Sequence, residues 1–143
     1  MMMVSQLLSQ RTGEIHTCRS DIVVSEAARI LAERRIGALP VMDGKQVVGI
    51  FSERDLLYHI ASQGAGTLAR TVAETMTSPA ITIDADTDVM EALSLMTRRR
   101  IRHLPVVQNG AMVGFLSIGD LVKHRVEVAE AEAESLRNYI QTA

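Results

Sequence analysis

The sequence predicts an α+β fold made of two tandem repeats, each strand, helix, strand, strand, helix, with a further helix at the C-terminus. Two observations carry this. Arg34-Arg35-Ile36-Gly37-Ala38-Leu39-Pro40-Val41 matches Arg99-Arg100-Ile101-Arg102-His103-Leu104-Pro105-Val106 at an offset of 65, with no gap. The same offset pairs Gly49, Ser52, Asp55 and His59 with Gly114, Ser117, Asp120 and His124, and Thr17, Asp21, Glu26 and Ala27 with Thr82, Asp86, Glu91 and Ala92. An ungapped internal duplication of this length identifies the repeating structural unit before any other reading is attempted. Within each copy the apolar pattern then moves from helical spacing to short strand-like runs.

In chain order, Val4 to Leu8 reads as a short helix ahead of a Thr-Gly break, and Val72 to Met76 reads as its counterpart. These two are expected to pack the ends of the module together. Ile15 to Cys18, and Ala80 to Ile83 after Pro79, read as short strands bounded by polar turns. Val24, Ala27, Ala28 and Leu31 fall at i, i+3, i+4 and i+7, as do Val89, Ala92, Leu93 and Met96. Each set is the buried stripe of an amphipathic helix. Asp88 and Glu91 have capping-box spacing, whereas the position equivalent to Asp88 is Val23, which cannot cap.

Both helices run into arginines, which complement the dipole of a last turn. Strands follow from Leu39 and Leu104, with prolines suited to a strand start or edge. Asp43-Gly44 and Asn109-Gly110 turn these into second strands, Val47 to Phe51 and Met112 to Leu116. Ser52 and Ser117 close those strands and open the next helices. A three-stranded sheet covered by helices on one face leaves the other bare, so the repeats should pack against each other. Ser62 to Thr71, rich in Gly, Ser and Ala, reads as a linker. The expected divisions are residues 1–65, 66–125 and 126–143. In the last, Val126, Ala129, Ala133, Leu136 and Ile140 form a heptad seam, open to two readings: a self-pairing helix or one folded back on its own domain.

A formal net charge of -2 argues against a dedicated nucleic-acid binder, although a local basic patch remains possible. Cys18 is the only cysteine, which excludes an intrachain disulfide and a cysteine-based metal site. No signal-like n-region and no apolar run of membrane length occur, so a soluble, cytoplasmic protein is expected. With aromatics at 3%, the core must be aliphatic and methionine-rich.

Three constellations could carry chemistry. Gly-x-x-Ser-x-x-Asp occurs at Gly49/Ser52/Asp55 and again at Gly114/Ser117/Asp120. Ser-x-x-Asp at a strand-to-helix junction is a capping box in one reading. In the other, the glycine admits a ligand against the backbone, the carboxylate accepts the vicinal hydroxyls of a ribose, and helix-start amides favour an anion. Arg102 and His103 suit a phosphate through charge-assisted bonds, or else continue the solvated basic edge of Arg98 to Arg100. Asp55 with His59, and Asp120 with His124, stand at i, i+4 on helices and could begin a metal site lacking its third ligand.

The duplication, with the segments Gly-Ile-Phe-Ser-Glu-Arg-Asp and Gly-Phe-Leu-Ser-Ile-Gly-Asp, resembles the cystathionine beta-synthase (CBS) domain family over Val4 to Arg125. Two tandem copies look like a Bateman module in a stand-alone CBS-domain protein. The resemblance implies a pseudo-two-fold pair of repeats binding adenosyl ligands in the clefts between them. It implies that Ser52 and Asp55, with Arg54 beside them, hold adenosine while Arg102 and His103 hold phosphate. Ser117 and Asp120 would face Gly37 and Ala38, a departure from the basic pattern, and Thr17 and Ile81 to Ile83 would line the adenine.

The function expected is a non-enzymatic sensor of AMP, ADP, ATP or NAD that signals through conformation or assembly. No cofactor is required beyond that regulatory adenine nucleotide, and neither nucleic acid nor membrane is expected as a partner. A homodimer is expected, acting on an effector protein in trans. The competing classes are a small metal-dependent hydrolase using Asp and His, and a nucleic-acid binder using Arg98 to Arg102, whose affinity would fall steeply with salt.

Overall fold

A computed structural model describes residues 2–11 and 13–142. The first repeat comprises β1 (Cys18–Arg19), α2 (Val24–Arg34), β2 (Ala38–Asp43), β3 (Gln46–Ser52) and α3 (Glu53–Gln63), preceded by the short helix α1 (Val4–Ser9). The second comprises β4 (Ile83–Asp84), α5 (Val89–Arg99), β5 (His103–Gln108), β6 (Ala111–Ser117) and α6 (Ile118–Thr142), preceded by α4 (Val72–Thr75). Each repeat is an α+β unit with a three-stranded mixed sheet, ordered β1-β2-β3 or β4-β5-β6. The outer short strand pairs in parallel and the hairpin pairs antiparallel.

The helical stripes are buried as their spacing requires. Val24, Ala27 and Leu31 face one core, together with Leu39, Val41 and Phe51. Val89, Ala92 and Met96 face the other, with Leu104, Val106, Leu116 and Leu121. Asp88 caps α5 by accepting from the Met90 N–H. Val23 cannot do this for α2, and the chain compensates through tertiary structure: the Val24 N–H donates to the Arg70 carbonyl at 2.8 Å. Pro40 and Pro105 lie in the middle strand of each sheet, yet cost no ladder bond to the short strand, whose pairing begins only at Val41 and Val106.

Two expectations are corrected, and of the two readings left open for the last helix the structure disfavours one. The strands read at Ile15 to Cys18 and Ala80 to Ile83 are only Cys18–Arg19 and Ile83–Asp84. The residues before them leave the sheet, and Ile15 and Ile81 remain exposed. The stretch read as a linker is structured: α3 runs to Gln63 and a 3-10 helix follows over Gly64–Ala69. Fully buried Thr67 anchors it, its hydroxyl donating to the His59 carbonyl at 3.1 Å. Finally, α6 does not fold back. Leu121 is its last buried residue, and everything described from Ala129 onward is exposed.

The short helices are exchanged between the repeats. Val4 and Leu7 of α1 fill the second core, where the Val4 N–H donates to the Thr87 carbonyl at 2.8 Å. Val72 of α4 fills the first core, its N–H donating to the Ile22 carbonyl at 2.9 Å. The two sheets meet through β3 and β6. There the Met112 N–H donates to the Lys45 carbonyl at 3.1 Å, and a cleft opens on either side.

Candidate functional site

The clefts are built from the start of α3 or α6 in one repeat and the entrance of β5 or β2 in the other. In the first cleft, Ser52 caps α3. Its hydroxyl accepts from the Asp55 N–H at 3.2 Å, and its own N–H donates back to Asp55 Oδ2 at 2.9 Å. The capping-box reading of Ser-x-x-Asp is therefore realised, and Ser117 with Asp120 repeats it at 3.2 and 2.8 Å. Capping does not use up the carboxylate. Of the roughly four lone-pair positions of a carboxylate, Asp55 gives two on Oδ2 to Ser52 and one on Oδ1 to the Thr77 hydroxyl, at 2.8 Å. One acceptor position and a rotatable hydroxyl thus face the cleft together.

This first cleft, of about 230 Å³, brings together Ser52, Arg54, Asp55 and Ile81 with Arg102 and His103 from the second repeat. Thr77 and Arg100 join them. Arg100 ends α5 in the left-handed conformation, at φ 55° and ψ 42°, and lines the cleft while remaining exposed. Two residues expected here lie elsewhere. Cys18 is turned into the core, so alternation sends Thr17 to an outer hollow shared with Arg19 and Asp21. Ile83 is 8% exposed and packs in the second core.

His103 stacks on Phe115 with ring centroids 5.5 Å apart and lines both clefts. Burial, then the neighbouring Arg102 charge, lowers its pKa below the ordinary histidine value, with Asp120 and Glu53 opposing. Near neutral pH its imidazole is thus biased toward the uncharged form. Arg102 therefore carries more of any phosphate attraction than the expected pair would share.

The second cleft, of about 320 Å³, holds Ser117 and Asp120 opposite Gly37 and Ala38, as the offset requires. It is not short of positive charge, because Arg11 and Arg35 also line it, with His16 beside them. Arg11 Nη1 lies 3.3 Å from Asp120 Oδ2 and donates to the Phe115 carbonyl at 2.6 Å. The two clefts differ chiefly in that one carboxylate meets a neutral threonine and the other a guanidinium.

The glycines have another cause than the one expected. A Cβ on Gly49 would stand 2.6 Å from Met76 Sδ and 2.9 Å from the Thr77 carbonyl oxygen, and one on Gly114 would stand 2.5 Å from Leu8 Cδ1. The chain itself occupies the space a ligand would have needed. Among the described residues no group of three or more His, Cys, Asp or Glu is placed to hold a metal, so the pairs Asp55/His59 and Asp120/His124 gain no third ligand. No helix among them is long and apolar enough to cross a membrane.

The family model for the CBS domain matches residues 4–62 and again 70–127. The CBS domain-containing protein CBSX3, mitochondrial, of Arabidopsis thaliana is 38% identical over 129 residues, which cover 87% of this chain and 63% of that protein. The chain thus spans somewhat under two thirds of that relative. The crystal structure of the CBS-domain containing protein ATU1752 from Agrobacterium tumefaciens superposes with a TM-score of 0.81 at 38% identity, over 87% of this chain and 99% of that one. The CBS domain pair of protein MJ0100, solved with 5-methylthioadenosine and S-adenosyl-L-methionine, gives a TM-score of 0.76 at 26% identity, over 88% and 97%. With both copies matched by the family model, one on each side of the clefts, the chain belongs to the CBS domain family as a tandem CBS pair.

Proposed function

We propose that the chain is a regulatory module that binds an adenosyl ligand, AMP, ATP or NAD, in the first cleft. The observation that carries this reading is the convergence of Asp55 and Thr77 with Arg54, Arg100 and Arg102 in one cavity. A carboxylate with an open acceptor position beside a hydroxyl suits a ribose, and guanidinium groups suit the phosphates that follow it. Ser52 positions Asp55, and Ile81 offers an apolar surface to the base. The adenosyl ligands of MJ0100, whose CBS pair shares this fold, support the same ligand class. Nothing in this reading asks for bond making or breaking. The module acts by changing shape or assembly, as a homodimer on an effector protein, and works in a reducing compartment, the cytoplasm, where Cys18 stays a thiol.

Thermal denaturation against AMP, ATP, NAD, S-adenosylmethionine and methylthioadenosine tests it. Ligand at about 100 times its dissociation constant adds about 2.7 kcal/mol to the native state. The midpoint should then rise by roughly 5 to 15 °C. No shift with any of the five at millimolar concentration overturns the proposal.

A further inference from the structure

The long helix α6 leaves the body of the protein with an apolar stripe that nothing among the described residues covers. Val122 and Val126 are 47 and 48% exposed, and Leu136 and Ile140 are 60 and 65% exposed. With Ala129 and Ala133 between them, these residues occupy successive a and d positions of a heptad repeat: Val126, Ala133 and Ile140 at a; Val122, Ala129 and Leu136 at d. A seam from Val122 to Ile140 is about 27 Å long at 1.5 Å per residue. We propose that α6 pairs with α6 of a second copy of this chain as a parallel, in-register, two-stranded coiled coil.

The flanking charges choose the occupant and its direction. The heptad puts Lys123, Glu130 and Arg137 at e and Arg125, Glu132 and Tyr139 at g. In a parallel pair each g residue meets the e residue five positions later on its mate. Arg125 then faces Glu130, and Glu132 faces Arg137. Two-fold symmetry makes each of these oppositely charged pairs twice. An antiparallel pair seating Ile140 against Val122 and Leu136 against Val126 instead sets Glu130 against Glu130, Glu132 against Glu132, and Lys123 against Arg137. The β-branched Val126 and Ile140 at a, with Leu136 at d, also favour two strands over three or four. The intervening alanines let the helices approach closely, and the apolar ends supply the contact. The described residues of α6 from Ala129 to Thr142 are exposed throughout, and an isolated helix of about 14 residues is marginal in water, so pairing accounts for the helix continuing through Thr142.

Disulfide trapping in the full chain tests both partner and direction. Ala133→Cys places a thiol at the centre of the seam, next to its mate only in the parallel register, while Ser135→Cys places one on the outer face. Buried Cys18, whose thiol is pushed up to about 11, leaves little background. Air oxidation should link the Ala133→Cys chain to itself, with the Ser135→Cys chain remaining monomeric on a non-reducing gel. Equal linkage of both, or of neither, with circular dichroism confirming the fold, overturns the proposal. So does preferential linkage of Ala129→Cys chains to Ala133→Cys chains in a mixture, which is the antiparallel outcome. Arg125→Glu should weaken self-association by about tenfold by sedimentation, and adding Glu130→Arg should restore it.

Discussion

Arg100 offers a way to separate what the fold needs from what the first cleft does. It occupies the left-handed region at φ 55°, as Arg35 does at φ 54° in the equivalent position, closing α5 and α2 respectively. Glycine is the residue ordinarily found there, because a Cβ in that conformation costs about 1 to 2 kcal/mol. Arg100→Gly removes this cost but adds back about 0.4 to 1 kcal/mol through the freer unfolded chain. The net gain centres on about 0.8 kcal/mol and runs from about 0 to 1.6, which raises the thermal midpoint by roughly 3 to 4 °C at the centre of that range for a chain of this size. The same substitution removes an arginine that lines the cleft, and a charge-assisted bond from it to a ligand phosphate is worth about 1.5 to 3 kcal/mol, or one to two decades of affinity. Differential scanning calorimetry without ligand and titration with AMP read the two effects on one protein. Arg100→Ala separates them, because it loses the charge and keeps the backbone strain. If Arg100→Gly lowered the midpoint, or if it bound AMP as tightly as the parent, the assignment of this residue to function at the expense of stability would be refuted.

Asp55→Asn keeps an oxygen able to accept from the Ser52 N–H but not the charge, and should weaken AMP by roughly tenfold to a hundredfold in calorimetric titration, while Asp120→Asn spares that site. Gly49→Ala should cost about 1 to 3 kcal/mol in urea denaturation, because its new methyl meets the Thr77 backbone oxygen at 2.9 Å. Gly114→Ala should cost less, since the atoms it meets are the tip of Leu8, which can turn aside. His103 should titrate below the ordinary histidine range when followed by NMR. Its pKa is lower folded than unfolded, so its contribution to stability is present above the unfolded value near 6.5 and is lost as pH falls through the folded one. His103→Phe should flatten that acid limb of the stability curve.

Much of the first cleft was legible through the resemblance to the CBS family, which implied that Ser52 and Asp55 of one repeat meet Arg102 and His103 of the other, and these four residues do line one cavity. Thr77 and Arg11 were illegible because they follow the short helices, where the constant offset of 65 fails: Met76 under Gly49 and Leu8 under Gly114 stand 68 apart, and Thr77 and Arg11, which meet Asp55 and Asp120, stand 66 apart. His16 keeps the offset, but its counterpart is the apolar Ile81, so the comparison of the repeats gave it no polar role. Arg100 was visible as charge, but its direction depends on a left-handed cap that propensity assigns to glycine. The unused signal was the Thr-Ser-Pro stretch at Thr77 to Pro79, a turn that returns the chain to β3, where Thr77 and Ile50 exchange backbone bonds at 2.9 and 2.8 Å.

The exchanged short helices also bear on how the protein is made and taken apart. Helix α1 is synthesised ahead of the first repeat, yet the surface it docks on, from Ala85 to Val89, arrives only after that whole repeat. The first repeat in turn lacks Val72 until the opening of the second has emerged. Closing such a long loop costs little more than closing a short one, since the entropy grows only with the logarithm of its length. It does place the decisive contacts late and far apart in sequence, which slows folding. The two repeats are consequently one cooperative unit, expected to melt in a single transition despite their duplicated sequence. A protease cut between them would leave two halves, each holding the piece that completes the other.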